Sequence, residues 1–300
     1  MKRALVISGG SSKGAFAGGI LEYLIKEKNY KWNTFVGTSI GSVLTTLIAF
    51  DKIEDIKKMF FNFDYDTIFS DCPFKKNGKI KILKLLYAIL TNKTSFGSMS
   101  NIRKNLSKCI TKKEYNDSKK TIITTITNFN TGQSEYKHSI TNTYEKFLDF
   151  IMASANIPII NDSSCINNNH YYDGGMTNSI SLQVAIDNGC DEIDVIVLKP
   201  INLTDKNWKP NNMFNILTRA LNIMLFEIAK NDIDISITKL NIKKDVKINF
   251  YNTPNELTDN IINFNKEDMI KWWNEGYKFI SENHHDKYKT SFLLKANNTI

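Results

Sequence analysis

Trp32-Asn33-Thr34-Phe35-Val36-Gly37-Thr38-Ser39-Ile40-Gly41-Ser42-Val43-Leu44 is the stretch from which the fold is read. Residues 32–36 read as a strand, and residues 40–50 carry apolar side chains at helical spacing. Between them stands Gly37-Thr38-Ser39-Ile40-Gly41, a G-x-S-x-G pentapeptide. A nucleophilic serine must project from a sheet on a sharp strand-to-helix turn. Such a turn brings its flanks together, and glycine two residues to either side removes the Cβ atoms that would collide. A helix starting near Ile40 also directs the positive end of its dipole at the turn, where negative charge develops in acyl transfer. An ordinary glycine-flanked turn has the same letters, so the context has to decide.

Moving outward, residues 4–8 read as a first buried strand and residues 15–26 as a helix. The loop between them is Gly9-Gly10-Ser11-Ser12-Lys13-Gly14. Successive backbone N–H groups at a helix N-terminus make an anion site, suited to a phosphate or to an oxyanion. The phosphate reading fits poorly. A Walker A loop needs Gly-Lys-Ser/Thr, whereas Lys13 precedes Gly14, and Ser11 stands where the dinucleotide fingerprint has its middle glycine. Two such loops at the carboxyl ends of adjacent parallel strands would lie side by side, which favours an oxyanion loop beside Ser39.

Further strands are predicted over residues 121–127, 133–138, 195–199 and 246–251, with a hairpin around Asn130-Thr131-Gly132. Helices are predicted over residues 144–155, 182–188, 213–229 and 267–281. This alternation gives an α/β domain in which helices cover a parallel sheet, with a helical insertion. Residues 1–283 read as one domain, and the polar tail, 284–300, as frayed. Asp173-Gly174-Gly175, after Tyr171-Tyr172, is a common turn sequence, but a serine nucleophile needs a base and a carboxylate within hydrogen-bond reach can serve. An aspartate at its ordinary pKa of about 3.9 is a weak base, so the pocket would have to desolvate it. His284 would complete a Ser…Asp…His order of the α/β-hydrolase kind, but only one strand precedes the pentapeptide, fewer than that fold places before its elbow.

Taken in order, strand–GGxxKG–helix, strand–GxSxG–helix and a distant DGG resemble the patatin-like phospholipases. Ala153-Ser154-Ala155-Asn156-Ile157-Pro158 is similar to that family's small-residue helix end before proline. The resemblance covers residues 4–199, leaving 200–283 without a recognised motif. It implies a three-layer sandwich with a mainly parallel central sheet. It also implies a lipid acyl hydrolase of phospholipase A or lysophospholipase type, working through a Ser39–Asp173 dyad and an acyl-enzyme. The oxyanion hole would use the amides of Gly9, Gly10 and Ser11 with that of Ile40, and Lys13, Gly14, Gly37, Gly41, Gly174 and Gly175 would support the motifs. A non-lipid carboxylesterase, a thioesterase or a silent lipid- or nucleotide-binding module is the alternative on the same motifs. The family carries a third glycine where Ser11 stands. A positive φ there would store strain of about 1–3 kcal/mol.

No cofactor is implied. The cysteines Cys72, Cys109, Cys165 and Cys190 form no CxxC pair and read as free thiols of a reducing compartment, and the four histidines show no metal-ligand spacing. The N-terminal apolar run ends after four residues at Ser8, short of a secretory h-region, and no stretch reaches a membrane span. A cytoplasmic protein is expected, with membrane association or export without a cleaved signal as the other routes.

The net charge of +8 is carried by one segment. Residues 72–113 contain eleven Lys and Arg and no Asp or Glu, so the rest of the chain sums to −3 (8 minus 11). Only three arginines occur in the chain, which disfavours nucleic-acid recognition. Residues 80–90 would wrap roughly 200° of a helix in apolar side chains, leaving Lys81 and Lys84 on the narrow remaining face. Either this is a core helix with a solvated lysine edge, or it is a lid or membrane-docking element with Lys75, Lys76, Lys81 and Lys84 at an anionic lipid surface.

Overall fold

The computed structural model describes residues 2–283 except 76–78, 204–207, 241–245 and 259–262. Lys76, His284, His285 and the predicted tail, 284–300, therefore lie outside the described residues.

In chain order, β1 (Arg3–Ile7), α1 (Gly14–Lys26), β2 (Thr34–Thr38) and α2 (Ile40–Ala49) form the opening strand–helix pairs. Next come α3 (Ile53–Phe61), α4 (Tyr65–Ile68), α5 (Ile82–Leu90), α6 (Ser100–Cys109) and α7 (Lys112–Asp117). The hairpin β3 (Thr121–Asn128) and β4 (Gln133–His138) precedes α8 (Tyr144–Ala155), then β5 (Ser164–Ile166) and β6 (Asn169–Asp173). The chain continues through α9 (Leu182–Asp187), β7 (Glu192–Val197), α10 (Met213–Leu240), β8 (Lys247–Asn252) and α11 (Lys266–Asn283).

The sheet order is β5-β6-β3-β2-β1-β7-β8, with β4 on β3. Its centre, β3-β2-β1-β7-β8, is parallel throughout. Parallel strands buried on both faces read as continuous apolar runs, and β1 shows why. Leu5 and Ile7 join the core on one face, beneath α1, α2, α8 and α11, while Ala4 and Val6 join the other, beneath α9 and α10. The result is the three-layer α/β sandwich.

The unmotifed C-terminal part belongs to this sandwich. β8 extends the sheet beside β7, and α11 crosses α1 at near-contact of the two backbones. A Cβ on Gly19 would lie 1.9 Å from the Trp273 carbonyl oxygen, and one on Gly276 would lie 2.1 Å from that of Phe16. Trp272 and Trp273 are buried in the same core.

The basic insertion folds as helices, but α5 does not form the core helix with a lysine edge that was one expectation. Lys84 turns toward the body and pairs with Asp71, and the Lys81 Nζ donates to the Cys72 carbonyl at 3.0 Å. The apolar side chains look outward instead, and only Ala88 of this helix is buried. The acid-free stretch begins one residue after Asp71, so the carboxylate that draws Lys84 inward lies just outside it.

Candidate active site

One strand brings the two separated motifs together. β2 runs beside the first half of β3 and ends with Thr38 opposite Thr125. β4 occupies the other edge of β3 along its length, so β6 can pair only where β2 has stopped. It does so antiparallel, placing Asp173 opposite Ile126, the next residue along. Ser39, one step beyond Thr38, thus meets Asp173, and its Oγ donates to Asp173 Oδ2 at 2.6 Å.

Ser39 takes φ 56 and ψ −127 at the N-terminus of α2, a left-handed conformation costing about 1–3 kcal/mol that the surroundings must hold. The flanking glycines permit the close approach. A Cβ on Gly37 would sit 2.4 Å from the Gly41 carbonyl oxygen, and one on Gly41 would sit 2.2 Å from that of Ile7. The Ser39 N–H donates to Ser154 Oγ at 2.8 Å, and Ser154 in turn donates to the Thr125 carbonyl at 2.6 Å. Ser42 ties the turn from below by donating to the Gly37 carbonyl.

Asp173 is held on every side. Its N–H donates to the Asn156 carbonyl, Thr127 Oγ1 donates to its carbonyl, and Gly175 N–H donates to Oδ1 at 2.8 Å. Burial pushes its pKa up to about 6, while the hydrogen bonds from Ser39 and Gly175 act in the opposite direction. Such a carboxylate is ionised at neutral pH yet basic enough to take a proton from a hydroxyl donating to it.

The glycine loop lies against the serine, with Gly9 in van der Waals reach of the Ser39 side chain. Its amides are not equivalent. Gly9 N–H already donates to the Ser179 carbonyl at 3.2 Å, so the expectation that it contributes to an oxyanion hole is corrected. The Gly10, Ser11 and Ile40 N–H groups have no acceptor among the described residues. Ser11 takes φ 51, so the strained alternative holds there. Lys13 pairs with Glu256, and Gly14 opens α1 against Ile40. Gly174 packs on the Thr125 carbonyl, and Gly175 supplies the amide to Asp173. Lys75, Lys81 and Lys84 stand apart from this centre, on the α5 insertion.

Ser11, Ser39 and Ile40 form the polar end of a cavity whose remaining wall is apolar, including Phe60, Phe63, Phe69, Met99, Ile102 and Phe264. Neither described histidine lines it. His170 bonds Ser163, and His138 lies on β4.

Sequence reasoning passed over Ser154, Asn156 and Asp232. The first two sit at the end of α8, already singled out for its small residues, and a serine between two alanines there was the available signal. Asp232, on α10, accepts from the Ser179 and Ile180 N–H groups at 2.7 and 2.9 Å, and so steadies the loop whose carbonyl holds Gly9. Nothing local in the sequence marks it.

A protein-family model described as Patatin-like phospholipase matches residues 5–186. "Probable lipid hydrolase 463L" of Invertebrate iridescent virus 6 is 29% identical over 194 residues, covering 61% of this chain and 63% of the viral protein. The crystal structure of VipD from Legionella pneumophila superposes over 94% of this chain and 66% of its own length, with a TM-score of 0.53 at 14% identity, a likeness of fold. The chain thus spans slightly under two thirds of either relative's length. Over three-fifths of its length matches the family model, and the fold and motif order agree with it: the chain belongs to the patatin-like phospholipase family.

Proposed function

We infer that this protein is a lipid acyl hydrolase that cleaves carboxylic esters of membrane lipids through a Ser39–Asp173 dyad, as a phospholipase A or lysophospholipase. The observation that carries the reading is the 2.6 Å hydrogen bond from Ser39 to a partly buried carboxylate, made at the polar end of an aromatic-walled cavity.

In this reading Ser39 Oγ attacks the acyl carbonyl as Asp173 takes its proton. The carbonyl oxygen becomes an oxyanion, received by the free amides of Gly10, Ser11 and Ile40 at the positive end of α2. Asp173 returns the proton to the leaving alkoxide, giving the alcohol or lysolipid and an ester of the acyl group on Ser39. A water that gives its proton to Asp173 then attacks that ester and releases the fatty acid and free Ser39. An acyl chain lying against Phe60, Phe63 and Phe264 would be shielded from water, which favours long-chain esters over short ones.

Product analysis on mixed phospholipid vesicles, with labelling by a fluorophosphonate probe, tests the reading. Wild type should release free fatty acid and label at Ser39. Ser39→Ala should do neither, and Asp173→Asn should keep the fold while losing about 10³-fold or more in turnover. Normal turnover by Asp173→Asn would remove the assigned base, and failure of folded wild type to label would remove the hydrolase.

A further inference from the structure

α5 presents its apolar side chains to solvent. Ile82, Leu83, Leu86, Tyr87, Ile89 and Leu90 are all exposed, Leu83 by 84% and Leu90 by 81%. At 100° per residue these six fill an arc of about 160°, while Lys84, Leu85 and Ala88 face the body. A soluble protein rarely leaves so continuous an apolar face uncovered.

Two further observations say what covers it. The first is charge: the helix lies in the acid-free stretch with eleven basic residues. Lys75 and Lys81 are exposed ahead of it and Lys93 behind it, the last with its ammonium 5.1 Å from the Tyr87 ring centre. An apolar face bounded by lysines at both ends is the pattern of a helix lying in a bilayer interface, with cations at headgroup level. The second is position. The segment carrying α5 is closed at its root by the Asp71–Ser98 bridge, and Phe69 and Met99 beside that bridge wall the active-site cavity. A helix of nine residues, about 14 Å long, also offers less than the ~800 Å² per side of a standard protein interface.

We propose that α5 docks the enzyme on a lipid bilayer carrying anionic headgroups, its apolar arc in the interface and its flanking lysines among the phosphates and carboxylates. The proposal rests on the lipid-hydrolase reading for its purpose, but its binding test does not depend on catalysis. Docking places the cavity root at the surface from which an acyl chain must enter.

The experiment uses the full chain with Ser39→Ala, so that lipid is bound and not consumed. Co-sedimentation is measured with vesicles of phosphatidylcholine alone and of phosphatidylcholine mixed with phosphatidylserine. Binding should be much stronger to the anionic vesicles. The exposed-site triple variant Leu83→Asn, Leu86→Asn and Leu90→Asn should bind them at least about ten-fold more weakly. Lys75→Gln and Lys93→Gln should each weaken binding about five-fold, and only where phosphatidylserine is present. In the Ser39 background, the triple variant should lose vesicle hydrolysis and keep its rate on a water-soluble short-chain ester. Parent-like vesicle binding by the triple variant, or binding indifferent to phosphatidylserine, overturns the proposal. So does a dimer in sedimentation equilibrium that the triple variant dissociates while vesicle binding persists, since the face would then belong to a second copy. If wild type hydrolyses neither ester nor vesicle, the function reading fails and the sedimentation result still decides the docking.

Discussion

Asp173 owes its proposed chemistry to two opposed effects at a single side chain. Burial disfavours its charge and raises its pKa to about 6, while donors at both oxygens keep the anion accessible at neutral pH. As a base it must be unprotonated, so kcat/KM should fall about ten-fold per pH unit below an acid limb near 6. A pH–rate profile on a soluble ester checks this, and a limb near 4 would mean a solvated carboxylate. Ser154 is the second decisive residue, because it alone receives the N–H of the strained Ser39. Ser154→Ala leaves that buried donor without a partner, and should lower stability by about 1–3 kcal/mol and slow labelling of Ser39. Thermal unfolding and the fluorophosphonate rate measure the two effects.

Among the elements, β3 and the end of α8 do the positioning. β3 accepts β2 and β6 in succession on one edge, so its register fixes the distance between Ser39 and Asp173. α8 reaches both, Ser154 holding Ser39 and Asn156 holding Asp173, which makes its end a clamp across the pair. Packing at the α1–α11 crossing sets a different constraint. Gly276→Val would drive methyl groups into the Phe16 carbonyl, where backbone cannot give way. We expect a loss of at least about 2 kcal/mol in denaturant unfolding, with fluorophosphonate labelling of the surviving folded fraction little changed. Gly132→Ala is a contrasting control: open space surrounds its Cβ, and only the left-handed turn, φ 71, opposes the change.

For the whole molecule, the boundary of the family match and that of the fold do not coincide. The match ends at residue 186, yet β7 pairs with β1 in the sheet centre and α11 buries Met269, Trp272, Trp273 and Ile280. Removing everything after residue 186 would strip two parallel strands and the cover of α1, exposing several large side chains worth about 2–3 kcal/mol each. Such a fragment should fail to show a cooperative thermal transition by circular dichroism, whereas a chain ending at Asn283 should show one. A cooperative transition in the shorter fragment would mean two separable domains. Charge is also organised at this scale: the +11 segment stands against −3 for the remainder, so surface binding through it should weaken steeply between low and physiological salt.

Much of this was legible in the chain. The first two strands and helices, the β3–β4 hairpin, α8 and β8 follow from apolar periodicity and turn residues, which act over a few positions. Ser39 was legible as a motif because a strained turn admits few residue types, whereas Asp173, in a common turn sequence, was legible only beside it. Gly9 was misread because its amide is taken by a carbonyl 170 residues away in sequence (179 minus 9). β6, the strand that delivers Asp173, carries too short and polar a sequence, Asn169-His170-Tyr171-Tyr172-Asp173, to announce itself. The direction α5 faces was equally hidden, since periodicity describes a stripe and not the side from which the body approaches. Composition and local pattern thus determined the layers, the two motifs and the basic segment of this protein. Only the tertiary structure decided which amides stay free, how deeply Asp173 is desolvated and which way the apolar stripe looks, because hydrogen-bond partners and burial come from residues far apart in the chain.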